Sequence, residues 1–305
     1  MSKVVICIPT FRRPEMLKQT LDALALMVCS HSVALLVGDN DTEGQQGVAL
    51  VASLSESYRF PIKCMVIERR GHPAARNGLL IAALARDPDF IVFLDDDQIV
   101  DPNYLEALVD TAERDSSDLV GPAVWPQFEE PAPQWVRECK IYRRDTDSNG
   151  PVPILTGDGG ILVRPACLAL LKGRYYDESF GLSGGADTEL FQRLKEVGAT
   201  FSRCSEAKVL EVYPLSRLTV RWAISRAYRL GNTAFRLRRI AGSPLDIIDY
   251  AKIPAGIAKA ALDLVFNLAR PHKQVDALCM AARAMGKLAF MLGSVHEDYR
   301  RTHGR

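Results

Sequence analysis

The chain has 305 residues, of which 48% are hydrophobic and 25% charged, with a net charge of +1; these proportions belong to a globular protein and exclude a disordered, collagenous or multi-span membrane chain. Such a length buries a large core and suits one big domain or two tightly joined halves. The near-neutral total hides a division, because residues 217–305 hold 16 basic and 6 acidic residues while residues 1–216 hold 22 and 31; a basic tail points to an anionic partner such as a membrane surface or a phosphate-bearing acceptor, or else is a solvated face.

In chain order, four short apolar runs at 4–8, 33–37, 63–67 and 90–94 read as β-strands, each ending in polar, Gly or Pro residues. The stretches between them read as helices. The first opens at Pro14, suited to a helix N1 position, and sets Leu17, Leu21 and Leu24 on one face. The second covers about 47–57, and the third follows Pro73 through 85. Alternation of this kind predicts an open, mostly parallel sheet with helices on both faces. Further on, 103–112 reads as a helix, 119–124 as a strand, 125–155 as an irregular or mobile segment, 157–164 as a Gly-rich turn into a strand, and 187–197 as a helix. Three more helices are expected at 220–239, about 245–269 and 274–293. None reaches the roughly 20 apolar residues of a membrane span, although an amphipathic helix lying on a membrane and simple core packing both remain open.

Met1-Ser2-Lys3 precedes only five apolar residues before Pro9, so no secretory signal is expected. Seven scattered cysteines form no CxxC pair, which speaks against a zinc cage or a disulfide framework and favours a reducing cytoplasm.

In parallel sheets ligands gather beyond the carboxyl ends of the strands. The residues there are Pro9-Thr10-Phe11-Arg12-Arg13, Gly38-Asp39-Asn40-Asp41, Glu68-Arg69-Arg70-Gly71 and Asp95-Asp96-Asp97, and the four loops should converge on one edge. Three adjacent carboxylates repel unless a cation is present. Their oxygens suit Mg²⁺ or Mn²⁺ shared with substrate phosphates, the alternative being an acidic surface turn. Gly71-His72-Pro73-Ala74-Ala75-Arg76-Asn77 opens a helix, and a helix N-terminus with an arginine makes a diphosphate contact. Asp187 sits at the mouth of a helix after Gly181, Gly184 and Gly185, where it is either a helix cap or a catalytic group.

The ordered set 5–13, Asp39, Ala75-Arg76-Asn77, Asp95-Asp96-Asp97 and Ala186-Asp187 resembles the inverting glycosyltransferase family 2 of the GT-A fold, over roughly 1–235. The stretch 217–233, with Trp222, Arg226, Arg229 and Gly231-Asn232-Thr233, is more weakly similar to bacterial exopolysaccharide enzymes of the succinoglycan type. The resemblance implies that Pro9, Thr10 and Arg12 touch the nucleoside, that Asp39 bonds the uracil ring, and that Arg76 approaches the diphosphate. It also implies Asp95 and Asp96 at the donor, Asp97 on the metal and Asp187 as general base. Where the family carries Glu-Asp, this chain has Ala186-Asp187; where processive synthases carry QxxRW, it has Leu218-Thr219-Val220-Arg221-Trp222, which favours single-sugar transfer. Family members often supply a late His to the metal; Glu211 lies near that point with no His beside it.

The expected reaction is therefore hexose transfer from a nucleoside-diphosphate sugar, UDP-glucose first, to an acceptor glycan, with a lipid-linked acceptor and the inner-membrane surface as expected partners and no nucleic acid. Expected units are a nucleotide-sugar half over 1–97, an acceptor and catalytic half over 98–240, and a basic helical extension over 241–305. Two alternatives stand. A sugar nucleotidyltransferase would release pyrophosphate, and a non-catalytic nucleotide-sugar binder would show no turnover. A dinucleotide dehydrogenase is set aside because no GxGxxG follows the first strand.

Overall fold

A computed structural model describes residues 1–295 except Asp158, Leu182, Pro244 and Leu245. Its first half is built from β1 (Lys3–Thr10), α1 (Pro14–Ala25), β2 (Ser32–Asp39), α2 (Gln46–Leu54), β3 (Ile62–Val66), α3 (His72–Leu84) and β4 (Phe90–Phe93). The four strands lie parallel in the order β3-β2-β1-β4. Strands β1 and β4 are covered on both faces, which is why they read as unbroken apolar runs instead of alternating ones. Leu17, Leu21 and Leu24 of α1 are fully buried against this sheet, as their spacing predicts. The register sets Thr10 beside Asp39 and Cys7 beside Phe93. The ends of the first three strands therefore line up with the start of the acidic triplet.

The second half comprises β5 (Gln98–Val100), α4 (Tyr104–Arg114), β6 (Leu119–Phe128), α5 (Gln134–Glu138), β7 (Gly150–Val152), β8 (Ile161–Val163), α6 (Pro165–Ala169), α7 (Ala186–Glu196) and β9 (Phe201–Tyr213). The sheet continues past β4 through β8, β6, β9 and β5, with β7 also on β9. Here directions are mixed. Strand β8 runs antiparallel to β4 and β6, β9 runs parallel to β6, and β5 and β7 run antiparallel to β9. The whole is the GT-A arrangement, a central sheet with helices on both faces. Strand β9 was not expected from the sequence, because Arg203, Glu206, Lys208 and Glu211 hide its apolar side; in the fold Ala207 and Val209 point inward while Lys208 and Leu210 point out.

The stretch 125–155 corrects the expectation of an irregular segment. Strand β6 extends through it to Phe128, and α5 and β7 follow. What orders it is an aromatic cluster. Tyr142 stacks on Trp222 at 5.5 Å and 14°, and meets Tyr213 and Phe128 edge-on at 5.4 and 5.5 Å. Such offset and edge contacts each add about 0.5–1.5 kcal/mol beyond burial.

Three long helices close the chain: α8 (Val220–Ile240), α9 (Ile247–Phe266) and α10 (Pro271–Met291). Helices α8 and α10 pack backbone to backbone. A Cβ on Gly231 would lie 2.0 Å from the Arg283 carbonyl oxygen, and one on Gly286 would lie 2.0 Å from that of Tyr228. Helix α9 packs on α10 as an outer layer, buried only at Asp249, Ile253 and Ala260. Among the described residues no helix is long and apolar enough to cross a membrane. The expected start of α9 at 245 and the tail 296–305 lie outside the described residues.

Candidate active site

The loops after β1, β2, β3 and β4 are tied into one rim, as strand order requires. Asn40 donates through its amide to the Ile67 and Arg69 carbonyls and accepts from the Gly71 amide. Arg12 grips Asp41 with Nε and Nη2 at 2.8 and 2.9 Å, and Glu43 at 2.9 Å. That grip lowers the Asp41 carboxyl below its usual range. It also holds Arg12 at φ 54, a left-handed conformation disfavoured for a residue with a Cβ. Phe11 lies between the guanidiniums of Arg12 and Arg70, at 5.1 and 4.8 Å from its ring centre.

At the centre stands Arg76, in the second turn of α3, with a side chain only 3% exposed. Its Nη2 donates to Asp95 Oδ1 at 2.8 Å and its Nη1 to Asp187 Oδ1 at 2.7 Å, while Nε donates to His72 Nε2 at 3.1 Å. The rings of Phe93 and Tyr176 flank the guanidinium. Burial is the largest single influence and raises the Asp95 carboxyl, but Arg76 and His72 together outweigh it and hold Asp95 well below the usual carboxylate range. Asp187 therefore does not cap α7. Gly185, at φ 103, takes the N-cap position, and the Asp187 side chain reaches across to Arg76 instead.

The rest of the triplet faces a second cationic group. Arg13 Nη2 lies 2.5 Å from Asp96 Oδ1 and its Nη1 lies 3.1 Å from Asp97 Oδ2; Arg217, which immediately precedes α8's capping turn, reaches the same Asp97 oxygen at 3.1 Å. Thr10 donates to Asp96 Oδ2 at 2.7 Å. Asp96 has no solvent exposure, and that burial, reinforced by Asp97 against the pull of Arg13, pushes its carboxyl up to about 6. Gly157 and Gly159 lie close against the carboxylates, since a Cβ on Gly157 would come within 2.8 Å of Asp187 Cβ and one on Gly159 within 2.7 Å of Asp95 Oδ2.

The expected site residues thus fall into two sets. Arg76, Asp95, Asp97 and Asp187 share one cleft, and Arg12 lies on its rim. Pro9, Thr10, Asp39 and Asp96 lie beneath the surface; Asp39, 1% exposed, accepts from the backbone amides of Asp41, Gly47 and Val48 and so anchors the start of α2. Sequence reading did not assign Arg13, Arg217 or Tyr176 to the site. Glu211 in β9 pairs with Arg144 at 3.1 Å. Among the described residues, no three His, Cys, Asp or Glu side chains converge as a complete metal cage. The donor set nonetheless fits a hard cation. Asp95 and Asp97 offer carboxylate oxygens at the cleft, each balanced here by guanidinium charge, and Mg²⁺ or Mn²⁺ typically takes only one or two protein carboxylates beside substrate phosphates.

The family model for glycosyl transferase family 2 matches residues 5–176. A curated relative, the succinoglycan biosynthesis protein ExoM of Rhizobium meliloti (strain 1021), is 33% identical over 237 residues, 75% of this chain and 72% of the relative. The chain belongs to glycosyl transferase family 2. It is a glycosyltransferase, which removes the nucleotidyltransferase and non-catalytic alternatives. Solved structures of family-like GT-A enzymes align along most of its length. The Pyrobaculum calidifontis mannosyltransferase PcManGT, in complex with GDP-Man and Mn²⁺, matches with a TM-score of 0.61 and 16% identity, covering 94% of this chain and 87% of that one. Residues 1–349 of S. aureus TarS in complex with UDP match with a TM-score of 0.56 and 15% identity, covering 96% and 92%. At these identities the two structures show a shared fold.

Proposed function

We propose that this glycosyl transferase family 2 member moves a hexose from a nucleoside-diphosphate sugar to an acceptor hydroxyl with inversion, in exopolysaccharide or cell-surface glycan synthesis. One observation carries the reading: a single buried guanidinium, Arg76, is bonded at once to Asp95 of the acidic triplet and to Asp187 at the start of α7. A donor's diphosphate side and a proton-accepting carboxylate are thereby held within the span of one side chain.

In this reading Arg12, on the rim with Phe11, contacts the nucleoside, and Arg76 faces the diphosphate. Asp39 and Asp96 act from below, the first by fixing α2 and the second by fixing Thr10 and Arg13; Pro9 shapes the same floor. Asp97, with Asp95, is the set assigned to Mg²⁺ or Mn²⁺, which when bound neutralises charge developing on the departing diphosphate. Arg13 and Arg217, paired with Asp97, would be within reach of the phosphate oxygens of a donor held there. Asp187 accepts the proton of the acceptor hydroxyl as that oxygen attacks the anomeric carbon from the side away from the diphosphate. Gly157 and Gly159 leave room for the carboxylates, and the segment 125–155 forms the acceptor wall.

ExoM's part in succinoglycan biosynthesis and the UDP bound to TarS support a UDP-sugar donor in exopolysaccharide synthesis; within that class UDP-glucose and a lipid-linked acceptor are our proposal. The test is a panel of UDP- and GDP-sugars with Mn²⁺ or Mg²⁺, each with and without lipid-linked acceptor. Acceptor-stimulated UDP release from UDP-glucose is expected. Release from GDP-mannose alone, or none from any donor, would overturn the donor assignment.

A further inference from the structure

The helix α9 is amphipathic the wrong way round for a helix bathed only in water. Its inner face carries Asp249 and the small or aliphatic residues that meet α10. Its outer face, at helical spacing, carries Ile247, Ala251, Pro254, Ala258, Leu262 and Val265, with Phe266 beside them, and no charged residue among them. These side chains are open: Ile247 is 82% exposed, Leu262 58% and Phe266 79%. Over 20 residues the helix is roughly 30 Å long, so the apolar strip is a continuous feature of the surface. Isolated exposed leucines need no explanation, whereas a contiguous strip of this size marks a contact.

Charge selects the contact. Lys252 and Lys259 stand along one border of the strip, 62% and 63% exposed although Lys259 also pairs with Asp263 at 3.0 Å and Lys252 lies 3.8 Å from Asp249, and the exposed Arg270 and Lys273 add positive charge past its carboxyl end. The whole 217–305 region carries the basic excess of 16 to 6. A second copy of the chain would bring the same cations against each other. An anionic bilayer meets both properties, with the apolar strip in the acyl boundary and the lysines at the headgroups.

We propose that the outer face of α9 docks the protein on an anionic lipid surface, lying in the plane of the interface without crossing it. The face is built on the helices that follow the catalytic sheet, and Arg236 of α8 bonds Ser179 and Ser183 in the loop leading to Asp187. Docking there holds the acceptor side of the enzyme near a membrane. The inference does not rest on the donor or acceptor assigned above, because binding is read without either.

The experiment is co-sedimentation of the purified full chain with vesicles of phosphatidylcholine alone or doped with phosphatidylglycerol. The wild type is expected to bind the doped vesicles, and to release from them as salt rises. The variant Leu262→Asp/Phe266→Asp, changed only at exposed positions, should lose at least about tenfold in partitioning. Lys252→Gln/Lys259→Gln should weaken binding to doped vesicles and leave the weak binding to neutral ones unchanged. Hydrogen exchange of the wild type, with and without vesicles, should show protection along α9, which keeps the test decisive even where a variant misfolds. The proposal fails if the wild type ignores anionic vesicles, if the aspartate variant binds as well as the wild type, or if protection falls elsewhere. A dimer in sedimentation velocity that the aspartate variant dissolves would assign the face to a second copy and overturn it too.

Discussion

Arg76 is where burial and charge meet most sharply. A guanidinium that is 3% exposed, with two carboxylates on its two Nη atoms, is stable only while both partners remain. Arg76→Met strands Asp95 and Asp187 in a poorly solvated cleft; removing one partner of a buried pair costs about 3–5 kcal/mol, so thermal unfolding should show a Tm several degrees lower along with lost transfer. Arg76→Lys keeps the charge but cannot bridge two carboxylates in one plane, and should recover much of the Tm with little of the activity. Asp187→Asn separates chemistry from binding. It should lower kcat by about 10²–10⁴-fold while UDP-sugar affinity, measured by calorimetry, changes little; transfer at the normal rate would remove Asp187 from the role of base. The sequence made Asp187 visible, but its place at a helix start by itself favoured a cap over a catalyst. Its pairing with Arg76, 111 residues away in the chain, removes the cap reading.

At the scale of elements, the strand–helix alternation of the first half was readable because β1 and β4 are buried on both faces, β2 nearly so, and α1 buries one stripe. Boundaries shifted by one to three residues: α2 ends at Leu54 where the helix was read to 57, and β3 begins at Ile62 where the apolar run was read from 63. Strand β9 was hidden for the opposite reason. Part of one face is wet, so exposed Glu206, Lys208 and Leu210 alternate with buried Ala207 and Val209, and Arg203 is charged even where the strand is buried. The α8–α10 contact depends on Gly231, which lay in a stretch the sequence singled out for another reason, and on Gly286, which did not. Gly286→Ala would push a Cβ to 2.0 Å from the Tyr228 carbonyl, and overpacking of this kind costs about 1–3 kcal/mol. The expected result is a lower Tm with a near-normal kcat, since the contact lies outside the catalytic cleft; an unchanged Tm would mean that the helices simply slide apart.

For the whole molecule, the placement of charge predicts how the protein responds to chelation. Arg13 and Arg217 both pair with Asp97, so its charge is offset within the fold and loss of the assigned Mg²⁺ or Mn²⁺ is expected to cost turnover more than stability. EDTA should abolish UDP release, with recovery on adding Mn²⁺, while shifting Tm by no more than about 1–2 °C. A large fall in Tm on chelation would show a structural metal.

By itself the sequence determined the parallel half of the sheet, the four loops at its rim and the family, since these follow from short-range periodicity and from motifs a few residues long. Only the tertiary structure decided that Asp39 and Asp96 lie under the floor, that Arg13 and Arg217 attend Asp97, and that 125–155 is ordered by aromatic packing. Those outcomes depend on contacts between residues as much as 120 positions apart. No local pattern encodes which of several arginines reaches a given carboxylate, because that choice is made by the packing of the elements that carry them.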